Sequence, residues 1–350
     1  MAELKRALGA TELISNVQYQ DGAKPENGFD SKKPWSDIKE VTDSLGNVWI
    51  SIPKFYTKYV MDESGAIKER YVSEFNGGSG WHLNPIFRNS KGKEINNFFI
   101  SKYLLSLEEG KLVSKAGLKP YGGVACTTAR TLIESYEDVD YNYEYSSFDI
   151  WALMALQDLA IVEFAETGTN KIMQGITFTT YSNTTYAENR KSGKTDMLTS
   201  ASGTAARSKE DDNGLYACRY RLIENLWGNG RLFVDGIYCN DAKVFCCKNS
   251  SNYSKLGEYT LTNITKPLDN GLVHQLTFDT EHLITFPKSL YTAGSYDNYY
   301  EGRSSAGNKV VYLGAEGSGG KNGLYSYIIT VEPNSSLPYN TFKMIKKEDK

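Results

Sequence analysis

The stretch "YRLIENLWGNGRLFVDGIYCND", residues 220–241, sets short runs of Leu, Ile, Phe, Val and Tyr between positions occupied by Gly and Asn. That mixture reads as strands joined by tight turns. The same character continues downstream in "AKVFCC", "GEYTLT", "KVVYLG", "GLYSYIITVE" and "NTFKMIK". Upstream, "GNVWISIPKFYTKYVM" (46–61) and "NFFISKYLLSL" (97–107) also read as strands.

Two segments between these blocks change period. In "VACTTARTLIESYE", Ala125, Ala129, Leu132, Ile133 and Tyr136 recur at helical spacing. In "SSFDIWALMALQDLAIVEFAET", Ile150, Leu153, Met154, Ile161 and Phe164 form one stripe, and Trp151, Leu156, Leu159 and Val162 widen it. A helix apolar nearly all round belongs deep in a domain. Ser146, three residues before Asp149, resembles a capping box at its start. Strands, two helices, a loop-rich section and more strands predict an α+β domain with antiparallel sheets.

Residues 1–45 are polar and turn-rich and read as an attachment segment. Residues 46–350 read as one domain, with a loop-rich insertion at about 176–215. The composition holds 25 Tyr and 31 Gly but only 3 His. Tyr offers contact area and a hydroxyl at low entropic cost, which suits a binding surface. A net charge of −3 argues against a protein that works by neutralising phosphates. No segment reads as a membrane span, and the five unpaired-looking cysteines suggest reduced thiols and cytoplasmic synthesis.

Motifs for chemistry fall short. His82, His274 and His282 are scattered, and the cysteines lack paired zinc spacing. "ENRKSGKT" and "AEGSGGKN" mimic phosphate loops but lack the first Gly, and the second also lacks the Ser/Thr. No catalytic residues, no metal and no cofactor are expected.

From 220–241 the chain resembles the C-type lectin-like domains of phage tail proteins, related to the formylglycine-generating-enzyme fold. "IPKFYTKYV", "WHLNPIFRNSKGKEINNFFISKYLLS", the two helical segments, "SLYTAGSYDNYY" and "KVVYLGAEGSGGKNGLYSYIIT" agree in order, covering roughly residues 45–346. The resemblance implies a C-type lectin-like fold, with two helices packed on antiparallel sheets. It also implies a non-catalytic receptor-binding protein of a virion, synthesised in the host cytoplasm. Its partners would be a bacterial surface glycan or protein and other tail proteins. Homo-oligomers, trimers among them, are the family's habit; nucleic acid and membrane insertion are not. C-terminal loops would present the ligand face, here Tyr296, Asp297, Asn298, Tyr299, Tyr300, Arg303, Lys321, Asn322 and Tyr325. Members tied to diversity-generating retroelements vary that face. A divergent enzyme and a purely structural tail protein stay open as alternatives. Glu332-Pro333-Asn334 spells a lectin calcium motif, but no later Trp-Asn-Asp follows it.

Overall fold

The computed structural model describes residues 4–7, 28–136, 142–164, 166–173, 175, 191–205, 217–291, 299–302, 307–314, 323–337 and 339–348. Helix α1 spans Cys126–Glu134 and helix α2 spans Ile150–Phe164. The stripe on α1 is the one its spacing predicts, with Ala129 and Ile133 fully buried. On α2 all of the side chains are buried, Gln157, Asp158 and Glu163 included. Its cap differs from expectation. Asp149 Oδ1 accepts the Ala152 N–H at 2.8 Å, which makes Asp149 the N-cap. Ser146 lies instead in the Tyr143–Ser147 strand, paired with Ile345.

Strands dominate the rest, in five sheets among the described residues. A five-stranded antiparallel sheet runs Tyr143–Ser147, Met344–Glu348, Asn97–Ser101, Val48–Pro53 and Lys39–Thr42. It inserts the C-terminal strand between elements from the first half of the chain. A four-stranded sheet runs Leu4–Ala7, Ile67–Ser73, Tyr56–Met61 and Trp81–Leu83. The largest sheet has nine strands, eight along one path and Asn340–Thr341 beside Arg231–Asn240. Its path runs Thr260–Thr265, Lys243–Cys246, Arg231–Asn240, Asn308–Leu313, Tyr327–Val331, Tyr299–Glu301, Asn270–Asp279 and Ile284–Tyr291. This sheet curls towards closure, and Asn263 N–H on the first of these strands reaches Asp279 Oδ2 at 2.7 Å.

The α+β class expected from the sequence therefore does not hold: the chain is mostly β. Among the described residues, only α1 and α2 exceed a single helical turn. Sheets do not merely carry two helices on one face; they enclose α2. That helix packs against Ile67–Ser73, Arg231–Asn240 and Ile284–Tyr291, strands of two different sheets. Nor are the pairings all antiparallel, since Tyr299–Glu301 runs parallel to Tyr327–Val331 and Asn340–Thr341 parallel to Arg231–Asn240.

The two carboxylates of α2 and the Gln157 amide nitrogen are met from surrounding strands and turns, while Gln157 Oε1 and Trp151 Nε1 find no hydrogen-bond partner among the described residues. Asp158 takes Arg70 and the Tyr59 hydroxyl. Glu163 takes Arg221 and the Tyr220 hydroxyl. Gln157 donates to Leu324 O and the Tyr327 hydroxyl, each at 2.8 Å. A buried charge left alone is severely penalised, so these pairs also fix how the helix sits.

Residues 28–45 are not a separate attachment segment. Phe29, Trp35 and Ile38 are in the core, and Lys39–Thr42 pairs with Val48–Pro53. In the expected insertion, the described residues 191–205 are tied down firmly. Gly193 N, Thr195 N and Thr195 Oγ1 all donate to Glu224, at 2.8, 2.8 and 2.7 Å. The Gly-Lys-Thr turn does gather N–H groups around an anion, and that anion is the protein's own carboxylate.

Candidate functional site

The expected ligand face divides into a buried part, a surface part and a part outside the described residues. Tyr300 and Tyr325 are both 0% exposed. The Tyr300 hydroxyl donates to Pro267 O at 2.8 Å, and the Tyr325 hydroxyl donates to Gln157 O at 2.6 Å. Both are core residues, which corrects their assignment to the ligand face. The reason is local. In Tyr299–Glu301 the inward position of the strand alternation falls on Tyr300. A phenol that finds a main-chain carbonyl is as good a core residue as a surface one. Tyr299 is half-buried, packed against the core group that contains Phe233, Tyr312 and Phe342. Tyr296, Asp297, Asn298, Arg303, Lys321 and Asn322 lie outside the described residues.

The strand ends around those residues do converge. Leu272 pairs with Tyr291 on one side and with Tyr299 on the other. Tyr291 and Tyr299, which bracket 292–298, are thus about 10 Å apart, two strand spacings. Tyr300 pairs with Tyr327, and Tyr327 pairs with Leu313. Leu313 and Tyr327 are the strand ends nearest to residues 315–322. Both Tyr/Asn/Gly-rich segments therefore leave one end of the nine-stranded sheet through neighbouring strands. Asn308, where the chain re-enters the sheet after 303–306, is at the far end of its strand from Leu313.

Among the described residues, one aromatic group at this edge is exposed to water. Tyr291 is 50% exposed, and His274 lies against it with ring centroids 3.8 Å apart. His274 is the extra residue of a bulge between the Val273–Leu290 and Gln275–Ser289 pairs. The bulge turns the imidazole onto the phenol ring. Ser289 Oγ, 2.9 Å from Gln275 Oε1, extends a polar border. Tyr291 is not among the residues that the sequence assigns to the ligand face. His274 carries no signal of its own in the sequence, since no second histidine stands at a metal-binding spacing. Only strand register brings the two rings together.

Thiol and metal chemistry find little footing among the described residues. Burial pushes the Cys126 thiol up to about 11, and those of Cys218, Cys239 and Cys246 up to about 12. Burial raises Cys247 as well. All are protonated at neutral pH and so are poor nucleophiles. No three His, Cys, Asp or Glu side chains gather as a metal site among the described residues. In the Glu-Pro-Asn segment, Glu332 pairs with Lys309 at 3.1 Å, and Pro333 O accepts the Cys126 thiol. No described helix is long and apolar enough to cross a membrane. No protein-family model matches the chain, and no curated protein matches it.

Proposed function

We propose that this chain is a receptor-binding protein of a phage or phage-like tail. It holds a bacterial surface glycan or protein on the sheet end marked by Tyr291, Tyr299, Tyr327 and Leu313. One observation carries the reading. Two Tyr/Asn/Gly-rich segments, far apart in composition from the core, are anchored by strands that pair with one another. Recognition residues on loops held by a rigid sheet are the common arrangement of binding proteins. The ordered resemblance to phage tail proteins names the setting. Tyr291 on His274 supplies an exposed aromatic surface of the kind that sugars and protein patches stack upon.

The test is adhesion. The purified full-length chain is incubated with a panel of bacterial cells, and bound protein is measured. A variant carrying Tyr291→Ala, Tyr296→Ala, Asn298→Ala and Lys321→Ala is compared at equal thermal stability. The reading expects at least a tenfold loss of binding. Binding that survives all four substitutions, or no binding to any cell above a control protein, overturns it.

A further inference from the structure

Leu283, directly before the strand Ile284–Tyr291, stands about 26 Å from Tyr291, eight residues at ~3.3 Å each. Beside Leu283 is an open cleft of about 260 Å³, built where residues 83–92, 248–249 and 283 meet. Leu83, Pro85 and Leu283 supply its apolar lining, and Arg88, Asn89, Ser90, Lys248 and Asn249 its polar lining. Pockets for drug-sized ligands run to ~300–1,000 Å³, so this one seats a single ring.

The unspent hydrogen-bonding capacity in the cleft is strongly one-sided. Arg88 Nη1 donates to Gly92 O at 3.1 Å, and its Nη2 stands 3.9 Å from Glu94, beyond hydrogen-bond length. Arg88 Nε meets no acceptor among the described residues. Lys248 Nζ spends one N–H on Glu281 O at 2.9 Å and keeps two. Asn249 Oδ1 accepts from Ser251 N at 3.1 Å, which leaves its Nδ2 to donate. Ser90 directs both its N–H and its hydroxyl at Glu144. Three side chains therefore offer donors, while the acceptors around them are largely committed. The charge agrees: the charged side chains that line the cleft are Arg88 and Lys248, both cationic. The frame is held in place. Lys347 Nζ donates to Arg88 O at 3.1 Å, Asn89 receives Lys93 N at 2.9 Å, and Asn249 caps the turn Ser250–Asn252. Such preorganisation favours binding.

We propose that the cleft binds one acidic sugar residue, a ring bearing a carboxylate or a phosphate. The oxyanion sits between Arg88 and Lys248, Asn249 meets a ring oxygen, and the C–H face lies on Leu83, Pro85 and Leu283. An Arg and an acid group form charge-assisted bonds that a neutral sugar cannot match. This site stands independently of the receptor reading, because it is remote from Tyr291 and is read with isolated sugars.

Calorimetry or ligand-observed NMR on the full chain tests it. Galacturonic acid and glucose 6-phosphate are compared with galactose, glucose, acetate and inorganic phosphate. At least one acidic sugar should bind at least tenfold tighter than its neutral counterpart and than the bare anion; which one binds distinguishes carboxylate from phosphate. Arg88→Gln and Lys248→Gln, both at exposed side chains, should each weaken it at least fivefold. Equal binding of neutral and acidic sugars, binding of the bare anions as tight as that of the sugars, or affinity unmoved by both substitutions overturns the proposal.

Discussion

Arg130 and Asp235 meet as a fork, Nε to Oδ2 at 2.7 Å and Nη2 to Oδ1 at 2.6 Å. The pair ties α1 to the Arg231–Asn240 strand, with Asp235 fully buried and Arg130 nearly so. Parallel bonds to a carboxylate are the strong form of this interaction. Removing one partner leaves the other charge buried and unanswered, which costs about 3–5 kcal/mol. Asp235→Ala and Arg130→Ala are each predicted to lose that much in urea unfolding at pH 7. The double variant Arg130→Met/Asp235→Leu should lose clearly less than the two singles added together. Single losses below about 1 kcal/mol would mean that the fork is ornamental.

The next residue, Gly236, lies where the register against Asn308–Leu313 slips, between Val234 and Tyr238. Its φ is +71°, and an added Cβ would stand 2.9 Å from the Trp151 ring and 3.1 Å from Tyr253. Gly110 has a similar φ of +78° but open space around it. The comparison separates backbone strain from crowding. Gly110→Ala should cost about 1–2 kcal/mol. Gly236→Ala should cost about 1–3 kcal/mol more, because a packed core must yield. Thermal unfolding of the two variants decides it, and equal shifts would remove the packing argument.

Much of the core was legible because helices announce themselves over many residues. The all-round apolar run of α2 could only be buried, and the spacing of Ala129 and Ile133 marked the inner face of α1. The strand pairings were not legible. Ser106–Glu108 or Gly203–Thr204 is too short to carry a pattern, and pairing depends on partners far along the chain. Hence two clear helices weighed too heavily in the class. Phe29 and Trp35 were hidden in a run of Pro, Gly and Asn whose composition reads as linker. Tyr300 and Tyr325 were misplaced because a Tyr-rich loop looks alike whether its phenols face water or a buried carbonyl. The cleft beside Leu283 draws on segments more than a hundred residues apart, so no local signal could mark it.

Tyr325 and Tyr291 should therefore respond in opposite ways. Tyr325→Ala empties a fully buried site and should cost about 3–5 kcal/mol, as for other large aromatics. Tyr325→Phe loses only the bond to Gln157 O and should cost about 0.5–1.5 kcal/mol. Tyr291→Ala, at the surface, should stay within about 0.5 kcal/mol of the parent yet weaken cell binding. Denaturant unfolding and adhesion measured on the same preparations would separate the roles. A Tyr325→Phe variant that folds normally but no longer adheres would return Tyr325 to the binding face.

Lys343 supplies the pH dependence. Its Nζ donates to Ser101 O at 3.1 Å and Lys102 O at 2.9 Å, and no carboxylate among the described residues pairs with it directly. Burial pushes its ammonium down to about 7, against the opposing pull of Glu224. An unfolded lysine titrates near ~10.4. Below pH 7 both states are protonated, and the native state bears the whole penalty of a buried charge. Between about pH 7 and ~10.4 the unfolded state binds more protons, so this group makes stability rise with pH, by up to ~1.4 kcal/mol per unit. Lys343→Met removes the titration, and Lys102 O keeps the Glu224 N–H as a donor. The variant should thus be more stable than the parent at pH 6, and the gap should shrink steadily between pH 7 and 9. Taking the difference between the two proteins cancels the tyrosines and cysteines, whose raised values act in the opposite sense, the cysteines from about pH 8.5 and the tyrosines from about pH 10. A gap that stays constant from pH 6 to 9 would show that Lys343 keeps its proton in the fold, with water or Glu224 carrying the charge.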